Sequence, residues 1–452
     1  MVERPRVIVV GGGFGGLTAA KSLARASAEV LLFDRLNYHL FQPLLYQVAT
    51  AALSPANIAA PIRNVLRKNR NCHVVMAEVS GIDVAESTVT AGGERYRFDY
   101  LVLAAGAVTN YFGHDEWADV APGLKTIDEA TEIRSRALLA FEQAEIEADF
   151  EARRAALTFA IVGAGATGVE MAGALAEISR MTLRRDFREI DTADVRVILI
   201  DAVDRVLPGF HSRLSERASS DLRDMGVELM LETRVVAVGS DALIVERRGG
   251  TERIGASNII WAAGVRASPL AGALGVETLG GGRVRVGDDL TVPGHPNVFA
   301  IGDLAHRIDP RTGVMVPGVA QAAIQMGRFA GRTITAEARA AARRVPPPHR
   351  GVFVYRDKGT MAIIGRNRAV AEIGSLRFGG MLAWLSWALI HVFSLIGFRR
   401  RTQVMLEWAW GYLTFGSSAR LITGRDRLPK PVRPPPDPRL APGRGDDASP
   451  GS

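Results

Sequence analysis

The chain has 452 residues, 47% of them hydrophobic, with 47 glycines and a formal charge of +7; this length exceeds one ordinary core and predicts two or three domains. The basic balance admits an anionic membrane surface as partner, but no basic stretch carries interleaved aromatics or a helix-turn-helix pattern, so nucleic acid is not expected. Cys72 is the one cysteine, which excludes an intrachain disulfide, dithiol exchange, and sulfide oxidation of the kind that uses paired cysteines.

The opening MVERPRVIVVGGG lacks the apolar stretch and small-residue cleavage site of a signal peptide and reads instead as a buried strand entering a glycine turn. Residues 6–10 (RVIVV) form that strand, a helix follows from Leu17 to about Ala26, and a second strand, Val30–Phe33, ends at Asp34. The unit repeats: strand 157–162, glycines, a helix from about Val169 to Arg180, and strand 195–200 ending at Asp201. Stretches 74–90 and 227–255 read as β-rich excursions, each followed by an apolar strand closing on Ala-Gly, at 100–106 and 258–264. Strand 297–301 runs into Gly302-Asp303, and 332–350, with its arginines and prolines, reads as an exposed connection. From Gly379 to Phe415 the chain is apolar and tryptophan-rich, and from about Arg425 it is Pro/Arg/Asp/Gly-rich, which predicts disorder.

Gly11-x-Gly13-x-x-Gly16 falls between strand and helix. The first glycine permits the tight turn, the second lets the backbone approach a pyrophosphate, and the third lets helix and sheet pack closely, with helix N–H groups aimed at the phosphates. Asp34 stands where a carboxylate can take both ribose hydroxyls. Alone such a pattern is weak; with strands, helix and acid in place it predicts a dinucleotide site. Gly163-x-Gly165-x-x-Gly168 repeats the design. Its acid, Asp201, comes late because 181–194 insert a polar stretch, and a surface-loop acid is the bland alternative. An acid there repels a 2′-phosphate and predicts NADH in preference to NADPH. The Gly302-Asp303 strand end adds a carboxylate able to bind a flavin's ribityl chain, which points to FAD. The expected fold class is α/β, with two Rossmann-like dinucleotide-binding domains and a C-terminal amphipathic helical region. Residues 1–115 and 290–335 would form the FAD domain and 116–289 the NADH domain. A β/loop segment at 336–378, anchor helices at 379–424 and a tail at 425–452 would follow.

The arrangement resembles the pyridine-nucleotide flavoprotein fold. More narrowly, stretches 37–46 (NYHLFQPLLY), 163–170 (GAGATGVE), 320–325 (AQAAIQ) and 355–359 (YRDKG) resemble the type II NADH dehydrogenases, single-subunit NADH:quinone oxidoreductases that pump no protons. The resemblance covers about Arg6 to Gly424. It implies FAD contacts at Gly11, Gly13, Phe14, Gly15, Gly16, Asp34, Arg35, Gln42, Pro43, Val79, Ala105, Gly106, Gly302, Asp303, Ala320 and Gln321. It implies NADH contacts at Gly163, Gly165, Thr167, Gly168, Glu170, Asp201, Ala263 and Gly264. Gln321 and Gln325, four apart on a helix, would face flavin and quinone, where amides bond quinone oxygens without adding charge; otherwise two glutamines there are an ordinary polar helix start. Glu170 would stand near nicotinamide and flavin, and Lys358 would stabilise reduced flavin; the plain readings are a dipole-placed acid and a surface lysine. His39 and Tyr46 are expected nearby, His39 in a structural role. One cysteine and scattered histidines cannot hold a metal cluster.

Quinone is lipid-soluble, so bilayer contact is expected. Segment 381–398 is uncharged apart from His391 and precedes Arg399-Arg400-Arg401. By length it could span. Its tryptophans and the basic cluster favour lying in the interface of an anionic membrane on the cytosolic side, with Trp384, Trp387, His391 and Ser394 near one helical face. Burial in a dimer interface is the third reading, and family members are often homodimers. Two rival functions share the nucleotide motifs: a soluble reductase of a protein acceptor such as ferredoxin, and a slow redox-linked signalling protein.

Overall fold

The computed structural model describes residues 4–183, 186–414 and 419–422; Phe415 and the predicted tail lie outside them. Arg6–Val10, apolar from Val7 onward, lies inside a six-stranded sheet. It pairs in parallel with Glu29–Asp34 on one side and Tyr100–Leu103 on the other. Cys72–Met76 extends one flank, and His295–Ala300 with the antiparallel Thr291–Val292 extends the other. Both faces are covered, as such hydrophobic parallel strands require. Val7, Ile8 and Val9 are fully buried.

A second parallel sheet has the order Val227–Met230, Arg196–Ile200, Thr158–Val162, Asn258–Trp261. The two sheets share their register at the glycine turn: Val10 pairs with Phe33, Val162 pairs with Ile200, and the acid is the next residue each time. The polar insertion therefore leaves the strand register untouched. It is taken up outside the sheet by a wide helical turn at Ile178–Thr182 and a short turn at Thr192–Asp194. Antiparallel meanders at Val79–Asp83, Thr88–Ala91, Glu94–Arg97 and at Arg234–Val238, Ala242–Arg247, Gly250–Gly255 flank the two sheets. The chain leaves the first unit at Ala107–Thr109 and returns at Val265–Ala267, and these connections pair with each other.

Two expectations are corrected. Residues 332–343 are not an exposed connection: helix Ala320–Arg343 runs through them and across the expected domain end at 335, burying Ile334 and Ala338. It lies against helix Phe14–Ser22, where a Cβ on Gly327 would stand 2.1 Å from the Gly15 carbonyl oxygen, so no side chain fits there. The second correction concerns the tryptophan-rich segment. The C-terminal unit is a meander of Thr360–Gly365, Arg368–Ile373 and Leu376–Gly379 followed by helices Met381–Ser394 and Phe398–Thr414. Trp387 turns inward and is buried, with His391 stacked on it at 4.3 Å. The exposed face of this helix carries leucine, isoleucine and phenylalanine instead: Leu382, Leu385, Leu389, Ile390 and Phe393. A break around Gly397, at φ +93°, separates the helices, and among the described residues no helix is long and apolar enough to cross a membrane, against the spanning reading.

Candidate functional site

The two glycine turns divide their labour in the same way. A Cβ on Gly16 would fall 1.9 Å from the Gly11 carbonyl oxygen, and one on Gly168 would fall 1.7 Å from that of Gly163. Gly11 and Gly163 themselves hold φ of +102° and +111°, a region costly to side-chain-bearing residues. The middle glycines differ: around Gly13 and Gly165 nothing lies within 4 Å of the added carbon. Each thus opens a bare backbone beside a helix N-terminus, which fits a pyrophosphate.

The acids also match each other. The Asp34 carboxylate accepts from the Gly12 N–H at 2.6 Å and from the Leu36 N–H at 2.7 Å. Asp201 accepts from the Ala164 N–H at 2.5 Å and from the Val203 N–H at 3.2 Å. Each carboxylate braces its own glycine turn, a task not expected from the sequence, and keeps further lone pairs able to accept. Burial raises the Asp34 carboxyl above its ordinary range. His39 Nδ1 donates to the Gly12 carbonyl at 3.0 Å and meets Phe14 edge-on at 4.9 Å. It is buried, and burial pulls its pKa down. Gln42 donates to the Lys125 carbonyl at 3.1 Å. Gly302, at φ +73°, delivers Asp303 to the loop before the glutamine helix: a Cβ on Gly318 would stand 3.3 Å from Asp303 Oδ1.

Gln321 and Gln325 are both engaged within the protein. Gln325 donates to the Arg356 carbonyl at 2.9 Å and accepts from the Arg356 N–H at 3.0 Å. Gln321 accepts from the Lys358 N–H at 3.1 Å and donates to the Gly359 carbonyl at 3.0 Å. One helical face thus holds the backbone of 356–359, and Lys358, bound through its own N–H, is exposed.

Glu170 lies in helix Ala166–Glu177, which starts at the second glycine turn. The helix presses on the C-terminal meander so closely that a Cβ on Gly173 would stand 1.6 Å from the Ile364 carbonyl oxygen. Sunk at this junction and accepting from the Ile363 N–H, the Glu170 carboxyl is pushed up to about 8 by burial. Across from it is Tyr46, buried, its hydroxyl driven well up by burial and by the Glu170 charge. Gln47 and Trp408 complete this corner; no motif marks Gln47, and the sequence shows Trp408 only as part of the tryptophan-rich segment. Three parts of the chain (the first unit, the second unit and the C-terminal meander) meet at Glu170.

A chain with two open dinucleotide turns, and with its one cysteine, Cys72, half-buried and raised to about 11, is a two-dinucleotide flavoprotein without a cysteine pair. Residues 5–327 match the family described as pyridine nucleotide-disulphide oxidoreductase, and residues 358–416 match the NDH2 C-terminal domain. A type II NADH:quinone oxidoreductase of Mycobacterium tuberculosis is 46% identical over 93% of this chain and 91% of its own length. A second from that organism is 44% identical over 93% and 90%. The solved structure of NDH2 from Plasmodium falciparum in complex with NADH is similar in fold at 18% identity, with a TM-score of 0.84, covering 93% of this chain and all of that one. The chain belongs to the type II NADH:quinone oxidoreductases.

Proposed function

We infer that this protein oxidises NADH and reduces a quinone through a bound flavin, read here as FAD, with NADH favoured over NADPH. The observation that carries the reading is the junction at Glu170, where the helix of the second glycine turn touches both the first unit and the C-terminal meander. A bound flavin would supply the redox chemistry, two-electron exchange between a nicotinamide and a quinone. The residues of the chain supply geometry and protons. The Gly13 turn would seat the FAD pyrophosphate and the Gly165 turn that of NADH. Asp201 would take the ribose hydroxyls and repel a 2′-phosphate. Glu170, protonated at neutral pH, holds a proton beside Tyr46 for the reduced quinone. Lys358, fixed by the glutamine grip, would place its charge where reduced flavin becomes anionic.

A quinone acceptor gives the apolar outer face of the C-terminal helices its purpose. Leu382, Leu385, Leu389, Phe393, Met405, Leu406, Trp410 and Leu413 are each at least half exposed, more than a water-facing surface carries without a partner. Arg399 and Arg401 beside them suit anionic headgroups on the cytosolic side, where NADH is found. A ferredoxin-type acceptor would leave this face unexplained.

The testing experiment is NADH oxidation by the purified yellow protein with and without a short-chain quinone, with NADPH in parallel. Quinone-dependent turnover with NADH and little with NADPH is expected. Flavin bleaching without quinone turnover would move the acceptor to a protein, and equal use of NADPH would remove the role of Asp201. Pelleting with vesicles that contain anionic lipid, lost on Leu385→Asp/Leu389→Asp, tests the surface.

A further inference from the structure

Phe112 has no place in the scheme above, and its conformation calls for one. It holds φ +56°, a left-handed backbone that a bulky side chain adopts only under constraint, and its side chain is 65% exposed. Its neighbours fix it in place: Tyr111 is buried and donates to the Ala121 carbonyl at 2.9 Å, Asn110 Oδ1 accepts from the Phe112 N–H at 2.9 Å, and the Trp261 indole donates to the Asn110 carbonyl at 2.9 Å. A rigid loop thus presents one aromatic ring outward.

The ring stands end-on over Gly264, its Cζ only 3.0 Å from where a Cβ would be. Gly264 closes the strand Asn258–Trp261, and the preceding Ala262–Ala263 backbone lies directly under the first glycine of the second turn, Gly163. In the sheet order, Asp201 leaves the strand on one side of Thr158–Val162, and Gly264 follows the strand on the other. The acid takes the adenosine ribose and the central turn takes the pyrophosphate, so the other flank receives the nicotinamide half.

We propose that Phe112 is a substrate-binding residue whose strained, exposed ring packs on the nicotinamide half of NADH over Gly264. This rests on the reading that NADH occupies the second glycine turn. The loop holds the ring outward before the substrate arrives, so little side-chain ordering remains to oppose binding.

The test compares Phe112→Gly, Phe112→Ala and Phe112→Tyr with the parent enzyme, measuring KM for NADH, KM for a short-chain quinone, and NAD⁺ binding by titration calorimetry. The glycine and alanine variants should raise KM for NADH and weaken NAD⁺ about tenfold, with KM for quinone unchanged and Phe112→Tyr near the parent. Phe112→Gly, relieved of its strain, should not melt below the parent. A KM for NADH within about twofold of the parent in Phe112→Gly would overturn the proposal, as would an equal rise in both KM values. Asp201→Ala is the control. If it leaves KM for NADH unmoved, the underlying site assignment fails; if it raises KM while Phe112→Gly does not, only the role of Phe112 fails.

Discussion

Trp408, on the outermost helix, donates its indole N–H to the Gln47 side-chain oxygen at 2.7 Å. The Gln47 amide in turn donates to the Tyr46 hydroxyl oxygen at 2.8 Å, and the Tyr46 hydroxyl is raised further by Glu170 in its ionised form. A hydrogen-bonded line therefore runs from the helix with the exposed apolar face to Tyr46, beside the acid at the domain junction. Rings run alongside it: Trp408 to Trp387 at 5.5 Å, Trp387 to His391 at 4.3 Å, and His391 to Phe41 at 6.2 Å.

Trp408→Phe keeps the packing but leaves the buried Gln47 oxygen without its donor. A buried acceptor so stranded costs about 1–3 kcal/mol, and thermal melting should fall by a few degrees. Adding Gln47→Leu removes the stranded group, so the double variant should lose less than the sum of the single losses. Strictly additive losses in a double-mutant cycle would show that the hydrogen bond contributes nothing.

Glu170 gives a pH signature. Its folded pKa of about 8 lies above the ordinary 4.5, so the folded protein holds a proton that the unfolded chain releases between these values. Stability from this group is complete below pH 4.5 and is lost as pH rises through about 8. Glu170→Gln should flatten that slope and be more stable than the parent at pH 9, by about 1–2 kcal/mol once the open edge of the site is allowed for. Its quinone turnover should fall at neutral pH, where the parent still carries the proton. Denaturant melts at pH 6 and pH 9 check the first point; parallel slopes for variant and parent would count against the buried acid.

Gln325→Ala releases both hydrogen bonds to Arg356. If the grip serves to place Lys358, quinone turnover should fall about tenfold while flavin reduction by NADH in stopped flow stays within about twofold. Gln321→Ala should behave alike, through Lys358 and Gly359. Flavin reduction falling in step with turnover would mean that the glutamines serve both half-reactions.

How much of this was legible in the sequence depends on the range of the interaction. Both glycine turns, their acids and the inward pairing of strands follow from local pattern, since a glycine or an apolar run states its own constraint. The late arrival of Asp201 looked irregular because spacing counts residues, whereas the sheet counts register, and an insertion outside the strands changes only the first. The glutamines showed their shared face but not their partner, which arrives more than thirty residues later as backbone and leaves no side-chain signature. Two of the tryptophans misled in the same way: an indole looks interfacial in isolation, but Trp387 is claimed by the core and Trp408 by Gln47, whereas Trp410 stays exposed. Those contacts depend on how the C-terminal unit docks, which helical periodicity does not report.

The glycine turns allow folding and binding to be separated by adding a single methyl group at two neighbouring positions. Gly13 has φ −68° and ψ −167°, an extended backbone open to any residue, and nothing within 4 Å of an added Cβ. Gly13→Ala should therefore fold, with secondary structure by circular dichroism like the parent's, yet purify with little or no flavin because the methyl group fills the pyrophosphate's place. Gly16→Ala meets the Gly11 carbonyl oxygen at 1.9 Å and forces helix Phe14–Ser22 off the sheet; a clash of this kind in a packed interior costs several kcal/mol, on the order of 1–3 at the least, and soluble expression should drop. Gly165→Ala, at φ −71° with equally open surroundings, should keep its flavin and lose NADH affinity. If Gly13→Ala kept full flavin content, the open space at that turn would not be the phosphate site, and the parallel drawn between the two turns would fail with it.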